Sequence, residues 1–575
     1  MDKIWLKSYP PGVPAEAPVA AFPTLKAMFD ASVARFARRP ACTALGATLT
    51  YEQLGEQVAA LGAAFAGRLR LAKGERVALM LPNSLAYPVA IFGAFEAGLE
   101  VVNCNPMYTA DELAFQLKDS GAAAVIVLEQ FQATLARALP GTAVRHVIVT
   151  RIGDLAPAWR RVALNWAAAH LDARAPTPAI PDAIRLRDLL ADGTALARPS
   201  IALGPADIAF VQYTGGTTGR PKGALLSHGG MVANVEQTIA WLGGALEPGH
   251  EIVVTALPLY HVFALLANLL AFIRLGGENV LVADPRKLPA LVRLLAHCPF
   301  TVITGVNTLF DALLSAPGFD AVVHARRGHV KLAVAGGMPV NRRVADAWSA
   351  AFGIALVEGY GLTEASPIVC ANRVDTCRFS GKLGLPLPST EVAITDLDGN
   401  DVPLGAIGEI RVRGPQVMKG YLNQPEESAQ VLSPQGWLRT GDMGRMDDAG
   451  YVEFVDRSKD IIVVSGFKAF PAEIEDVAKR LAGVREAGAV GVPDARTGEA
   501  VALFVVAEDP GLTIAHVRAH CEQHLVAYKR PRRIELRSVL PMSPLGKVLR
   551  RELRRWALEQ REEAARAEEP RACSR

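Results

Sequence analysis

A chain of 575 residues is too long for one hydrophobic core, so several domains are expected. Half of it is hydrophobic and 21% is charged, which excludes a disordered chain, and a formal net charge of +3 gives no argument for a nucleic-acid partner. The seven cysteines (Cys42, Cys104, Cys298, Cys370, Cys377, Cys521 and Cys573) are odd in number, scattered and never spaced C-x-x-C. That pattern fits a reducing compartment and argues against a disulfide framework or a structural zinc.

The opening Met1-Asp-Lys-Ile-Trp-Leu-Lys7 has no apolar h-region, so no secretory signal is visible. The longest apolar runs, such as 264–273, fall short of the roughly 20 residues that span a bilayer. The expectation is a soluble protein, or one that at most sits on a membrane surface. No fixed-period repeat is present.

Residues 24–135 alternate helical patterns with short apolar runs. Positions 25–36 and 51–69 read as amphipathic helices; Arg76-Val-Ala-Leu-Met-Leu81 and Ala124-Val-Ile-Val-Leu128 read as buried strands. This alternation predicts an α/β fold with a parallel sheet covered by helices. An Ala- and Pro-rich stretch, 166–205, reads as an irregular surface connection. A second α/β unit opens with the strand Ile208-Ala-Phe-Val-Gln212, and a helical pattern follows from Met231 to Trp241. Within it several apolar runs end in polar or Gly-rich segments: Leu257-Pro-Leu-Tyr-His261, Gly336-Gly337-Met338-Pro339 and Glu358-Gly-Tyr-Gly-Leu-Thr-Glu364. In open parallel sheets ligands sit at the carboxyl ends of the strands, so these loops are expected to converge on one site. From 381 the runs become short and β-like, punctuated by Gly, Asp and Pro, as in a small antiparallel sheet or a small β-barrel. The last unit starts at 459, with a hairpin-like 461–470, two helices and a strand, a basic helix and a polar tail over 559–575. The domain expectation is a large N-terminal part, 1–458, with α/β subdomains 24–205 and 206–380 and a β subdomain 381–458, followed by a small mobile α+β part, 459–575.

The stretch Tyr213-Thr214-Gly215-Gly216-Thr217-Thr218-Gly219-Arg220-Pro221-Lys222-Gly223 leaves the end of a strand. Its glycines let backbone N–H groups turn toward an anion, its hydroxyls add donors and its lysine adds a point charge. It reads as a phosphate cradle rather than a flexible surface loop. It is not the P-loop G-x-x-x-x-G-K-[ST], because Pro221 precedes Lys222 and Gly223 follows it. In the 358–364 segment a Tyr ring can stack on a purine, Thr can donate to a phosphate and Glu364 can hold Mg²⁺. Trp437-Leu-Arg-Thr-Gly-Asp442, with Asp456-Arg457, offers a carboxylate for ribose hydroxyls and a guanidinium. Leu540-Pro-Met-Ser-Pro-Leu-Gly-Lys547 places one lysine after a turn and before a basic helix. Taken singly, each has a bland alternative: a packed Tyr, a surface salt bridge, a solvated lysine.

Together these segments, in this order and spacing, resemble the adenylate-forming superfamily, and the resemblance runs from the first residues to about Arg554. It is nearest to the bacterial long-chain fatty acyl-CoA synthetases, which Thr304-Gly-Val-Asn-Thr-Leu-Phe310, Arg413-Gly-Pro-Gln-Val-Met418 and Val464-Ser-Gly-Phe-Lys-Ala-Phe-Pro471 also resemble. The resemblance implies ATP, Mg²⁺ and CoA as reaction partners of a fatty acid. It implies that Tyr213 to Lys222 embrace the ATP phosphates, with Thr214 and Thr217 donating hydroxyls. Glu364 would bind Mg²⁺ and Thr363 the α-phosphate. Gly336, Gly337, Met338 and Tyr360, with Glu358 beside them, would frame adenine, and Asp442 and Arg457 would hold the ribose. His261 would sit beside the substrate carboxylate, and Lys547 would bridge that carboxylate and the α-phosphate. Lys459 matches the family's hinge, and Gly466 a hairpin glycine lining the pantetheine tunnel. Met542 departs from the subgroup, which often carries a lysine after the proline. The implied location is the cytoplasm, peripherally on the inner face of the cytoplasmic membrane; a homodimer stays open. Three rivals remain. One is a medium-chain synthetase. Another is a fatty acyl-AMP ligase, disfavoured because no insertion stands between Glu364 and Thr395. The third is a lipid-binding protein without catalysis.

Overall fold

The computed structural model describes residues 3–171, 180–214, 221–376, 378–396, 398–465, 467–494, 496–542 and 548–568. Among these the strands form four sheets. The first runs in the order Ile184–Arg185, His146–Thr150, Ala124–Leu128, Arg76–Met80, Glu100–Asn103, Ile208–Thr214, Lys222–Ser227. All its pairs are parallel except the last. The second has a parallel centre in the order Leu356–Gly361, Leu332–Gly336, Val302–Gly305, Ile252–Thr255, Glu278–Leu281, Pro40–Ala44. Antiparallel strands close it at both edges: Ala47–Thr50 at one, Ile368–Ala371 and Leu385–Pro386 at the other.

The chain crosses between these two sheets. Pro40–Ala44 pairs with Glu278–Leu281 in the second sheet, whereas Ile208–Thr214 pairs with Glu100–Asn103 in the first. The sheets therefore do not divide at residue 205, because each early strand joins the sheet where its apolar faces find cover. The helix Ala86–Glu96 shows what that cover requires. It is apolar all round and buried at every position. Its one carboxylate, Glu96, meets Lys26 at 3.1 Å and Arg198 at 2.8 Å, as a buried charge must.

One segment folds differently from the sequence reading. The described part of 166–205 is not irregular throughout: it holds the end of helix Ala158–Leu171, strand Ile184–Arg185 and helix Leu186–Gly193, while residues 172–179 lie outside the described residues. Alanine is the best helix former, and Leu186, Leu189 and Leu190 recur at helical spacing and are buried. Between the Gly/Thr stretch and the helix expected from Met231, the chain forms one more strand. Lys222–Ser227 forms a strand antiparallel to Ile208–Thr214, and residues 215–220 between them lie outside the described residues. The helix His228–Leu242 starts only where Ser227 caps it, accepting from the Gly230 N–H at 3.2 Å.

The expected β subdomain is an antiparallel sheet ordered Glu391–Thr395, Gly408–Arg413, Leu438–Met446, Val452–Arg457. Among the described residues its first and last strands do not pair, so it is an open sheet rather than a closed barrel. A 3₁₀ turn, Ser458–Asp460, leads out of it. The hairpin Ile462–Val464 with Phe467–Ala469 and helix Pro471–Lys479 follow. Paired strands Val484–Asp494 and Gly498–Ala507 come next, then helix Ile514–His524, strand Arg533–Arg537 and helix Arg550–Glu568.

Candidate active site

Parallel strands share one carboxyl edge, and at that edge of the second sheet the polar loops do converge. They line a cleft of about 3180 Å³, together with the hairpin of the first sheet, the third sheet and the last unit. Thr214, Lys222, His261, Gly336, Gly337, Met338, Glu358, Tyr360, Thr363, Glu364, Asp442, Arg457 and Lys459 all face it. Gly361 shows why this strand end needs glycine: a Cβ there would lie 2.0 Å from the Pro367 carbonyl oxygen. Gly337 turns the neighbouring loop at φ +78°, a conformation that side chains resist. Gly215, Gly216, Thr217, Thr218, Gly219, Gly466 and Lys547 lie outside the described residues.

Two carboxylates are held by tyrosine hydroxyls. Tyr421 donates to Glu364 Oε1 at 2.8 Å, and Tyr360 donates to Asp442 Oδ2 at 2.7 Å. Arg457 stands opposite Asp442 on the paired strand, with its Nε 3.3 Å from Oδ1. Lys222 pairs with Glu427, and its ammonium lies 5.2 Å from the Tyr421 ring centroid. Tyr213 donates to Asp119 at 2.6 Å, so it offers the cleft its ring and backbone rather than its hydroxyl. Asp119, Tyr421 and Glu427 were missed in the sequence. Each is an ordinary surface-type residue until the fold brings it against a motif.

Burial sets the protonation of this site. It lifts Glu358 to about 7, against the pull of the Val340 N–H that donates to Oε1 at 3.2 Å. Among the described residues Glu358 Oε2 has no hydrogen-bond partner. Burial, then Arg457 nearby, lower the Lys459 ammonium, while Asp460, Asp442 and Glu364 act in the opposite direction.

His261 caps the short turn Val262–Ala264, its Nδ1 accepting from the Phe263 N–H at 3.4 Å. A buried polar chain fixes its loop. Tyr87 donates to Asn103 at 2.6 Å, Asn103 to Gln212 at 3.0 Å, and Gln212 to the Tyr260 carbonyl at 2.7 Å. Asn83 staples the same loop by accepting from the Leu259 N–H at 2.8 Å. Gln212, polar in an otherwise apolar strand, was the sequence signal for this chain. Beyond His261 the cleft wall is apolar: Ala267, Ala271, Phe272, Trp241, Leu246 and Val302 line it. Here Leu265–Leu270 is π-helical, a widened turn that often marks a functional wall.

At the far side, Arg550 ties the last helix to the end of the third sheet. It donates to Asp456 at 2.8 Å, to Asp460 at 3.1 Å and to Glu475 at 2.8 Å. Asp456 is fully buried and also accepts from the Ala472 N–H at 2.7 Å.

Residues 29–422 match the family model for AMP-binding enzyme, and residues 473–547 match that for the AMP-binding enzyme C-terminal domain. The chain belongs to the AMP-binding enzyme family. It is 48% identical over 554 residues to a long-chain-fatty-acid–CoA ligase of Escherichia coli O6:H1, covering 96% of this chain and 98% of that one. To the long-chain-fatty-acid–CoA ligase of Haemophilus influenzae it is 42% identical, with the same coverage. Among solved structures it resembles ATP-bound MatB from Rhodopseudomonas palustris, 28% identical with a TM-score of 0.79, over 93% of this chain and 99% of that one. The apo form of MatB, at the same coverage, gives a TM-score of 0.69.

Proposed function

We propose that this chain is an ATP-dependent long-chain-fatty-acid–CoA ligase. Fatty acid, ATP and CoA give acyl-CoA, AMP and pyrophosphate through an acyl-adenylate. The observation that carries the reading is the continuity of the cleft. Its apolar wall, from Ala267 to Leu246, runs past His261 into the part where Glu364, Thr363, Lys222 and Asp442 gather. An acid with a long tail and a nucleotide fit there head to head.

In the first step a fatty carboxylate oxygen attacks the α-phosphorus, forming the acyl–phosphate bond and expelling pyrophosphate. Thr214 and Lys222, which flank residues 215–220, face the phosphates, and Lys547 bridges carboxylate and α-phosphate. Asp442, aligned by the Tyr360 hydroxyl and Arg457, accepts from the ribose hydroxyls. Gly336, Gly337 and Met338 border adenine, and the unpartnered Glu358 Oε2 is an acceptor for an amine donor at that edge. The donor set also fits Mg²⁺: a carboxylate, Glu364, beside a phosphate cradle matches its preference for one or two carboxylates plus substrate phosphates. When bound, that ion would offset charge on the phosphates; Tyr421 holds the Glu364 carboxylate ready for it. In the second step the 459–575 part turns about Lys459, withdrawing Lys547 and bringing the hairpin at Gly466 to the cleft. The CoA thiolate then attacks the acyl carbonyl and AMP leaves. The higher TM-score to ATP-bound than to apo MatB supports reading this arrangement as the one for the first step. We place the protein in the cytoplasm, in peripheral contact with the membrane that its substrate enters.

The test is an acyl-length series of acetate, octanoate, palmitate and oleate, with ATP and CoA, following both pyrophosphate and acyl-CoA. Palmitate or oleate should give both products, and Lys547→Ala should lose pyrophosphate release. Pyrophosphate without acyl-CoA would mean another acyl acceptor. No pyrophosphate from any acid would end the enzyme reading.

A further inference from the structure

A surface outside the lining of the cleft carries apolar side chains where folding alone would not put them. The strands Pro40–Ala44 and Ala47–Thr50 are joined by a two-residue turn, Leu45-Gly46. Both residues have positive φ, 50° and 77°. Such turns favour Asn-Gly, because the first position must adopt a left-handed backbone. Here that strained position is a leucine, and it is 48% exposed. Beside it lies the helix Ala158–Leu171, whose Arg160 donates to the Gly46 carbonyl. That helix displays Trp159 at 69% exposure, Val162 at 67% and Trp166 at 59%. They stand at i, i+3 and i+7, on one face. The only formal charges on the helix are Arg160 and Arg161; it has no acidic residue. The Arg160 guanidinium lies 4.8 Å from the Trp159 ring centroid.

We infer that the Leu45 turn and this helix face form a docking surface for a lipid bilayer bearing anionic headgroups. Tryptophan beside arginine is the composition that settles at a membrane interface, with rings at headgroup depth and guanidinium groups on phosphates. The surface is the exposed face of one helix plus a hairpin tip, which suits a sheet of lipid rather than an inserted peptide. The Arg160 guanidinium over the Trp159 ring puts a positive charge at the edge of this face, which selects anionic lipid over a basic partner. The inference deepens the reading that the substrate is a membrane-partitioning fatty acid, and it supplies the contact which that reading leaves unplaced.

Co-sedimentation with vesicles of phosphatidylglycerol and phosphatidylcholine, and with phosphatidylcholine alone, tests it on the full chain. Native protein should bind the mixed vesicles with a blue shift in tryptophan emission, and bind phosphatidylcholine more weakly. Leu45→Asn should weaken binding roughly ten-fold, while leaving thermal unfolding unchanged or later, since Asn suits the turn. Trp159→Ser with Trp166→Ser should weaken it further, and Arg160→Gln, which removes the charge over the Trp159 ring but keeps a donor for the Gly46 carbonyl, should weaken binding only to the mixed vesicles. No binding by native protein, or equal binding by all variants, overturns the inference. So does a native dimer that the Trp159→Ser, Trp166→Ser variant turns into monomer without loss of vesicle binding, which would make the face a self-contact. CoA-ligase activity on the four acids of the acyl-length series, assayed without vesicles, separates the two readings. If it is absent while vesicle binding stands, the ligase reading fails and the surface survives.

Discussion

Glu358 is a carboxyl group that the fold keeps near its point of ionisation. In the unfolded chain it titrates near the ordinary 4.5, and burial raises it to about 7 in the folded protein. The folded state thus holds this proton over a window in which the unfolded chain has lost it. The contribution to stability is full below about 4.5 and is lost as pH rises through about 7. Glu358→Gln, uncharged throughout, should flatten that part of the profile. Unfolding temperature measured across this window should fall less in the variant than in the native protein, and an unchanged slope would assign the fall elsewhere. Tyr421 gives a second prediction. Tyr421→Phe removes one hydroxyl from the Glu364 carboxylate, a charge-assisted bond worth about 1.5–3 kcal/mol. The rate of pyrophosphate release per Michaelis constant should drop roughly ten- to hundred-fold, with the fold intact by circular dichroism. Glu364 and Asp442 were legible in the sequence because each sits in a dense local motif. Tyr421 and Asp119 were not: their partners lie 57 and 94 residues away, and nothing in a tyrosine or an aspartate marks the meeting.

Among the elements, the buried strands and amphipathic helices were legible because their periodicity is local. The helix predicted over 25–36 and the strand over 124–128 appear with those bounds, as Leu25–Phe36 and Ala124–Leu128. Within 166–205 the helix end at Leu171 and the helix Leu186–Gly193 are hard to read because the prolines between them mask two short helical patterns, although alanine favours helix. The register of the hairpin around the Gly/Thr loop was also illegible, since a six-residue run such as Lys222–Ser227 carries no mark of antiparallel pairing. The link between elements that matters most here is Arg550, which fastens the last helix to Asp456 and Glu475. Removing one partner of a buried pair strands the other charge, at a cost of about 3–5 kcal/mol. Arg550→Met should therefore lower the unfolding free energy by about that amount in urea. Asp456→Asn added to it should recover part of the loss; two independent, additive losses would show that the pair is not coupled.

For the whole molecule, the crossing of the chain between two sheets decides which pieces can stand alone. Residues 24–205 contain the hairpin Pro40–Thr50 but not its neighbour Glu278–Leu281, and the strand Glu100–Asn103 but not its neighbour Ile208–Thr214. The last sheet lies entirely after residue 459 and encloses its own apolar core, including Ile462, Ile474, Leu503 and Val517. A fragment 24–205 should show no cooperative unfolding transition, whereas 459–575 should show one. A cooperative transition from the first fragment would mean that its sheet closes without the later strands.

That crossing also sets a clock on synthesis. The hairpin that starts at Pro40 leaves the ribosome long before Glu278 has been added, and until then its edge has no strand to pair with. At about 5–20 residues per second the wait is roughly ten to fifty seconds. Through that interval the nascent chain presents an open β edge tipped by Leu45, a natural binding target for ribosome-associated chaperones and a point where slowed elongation would favour aggregation.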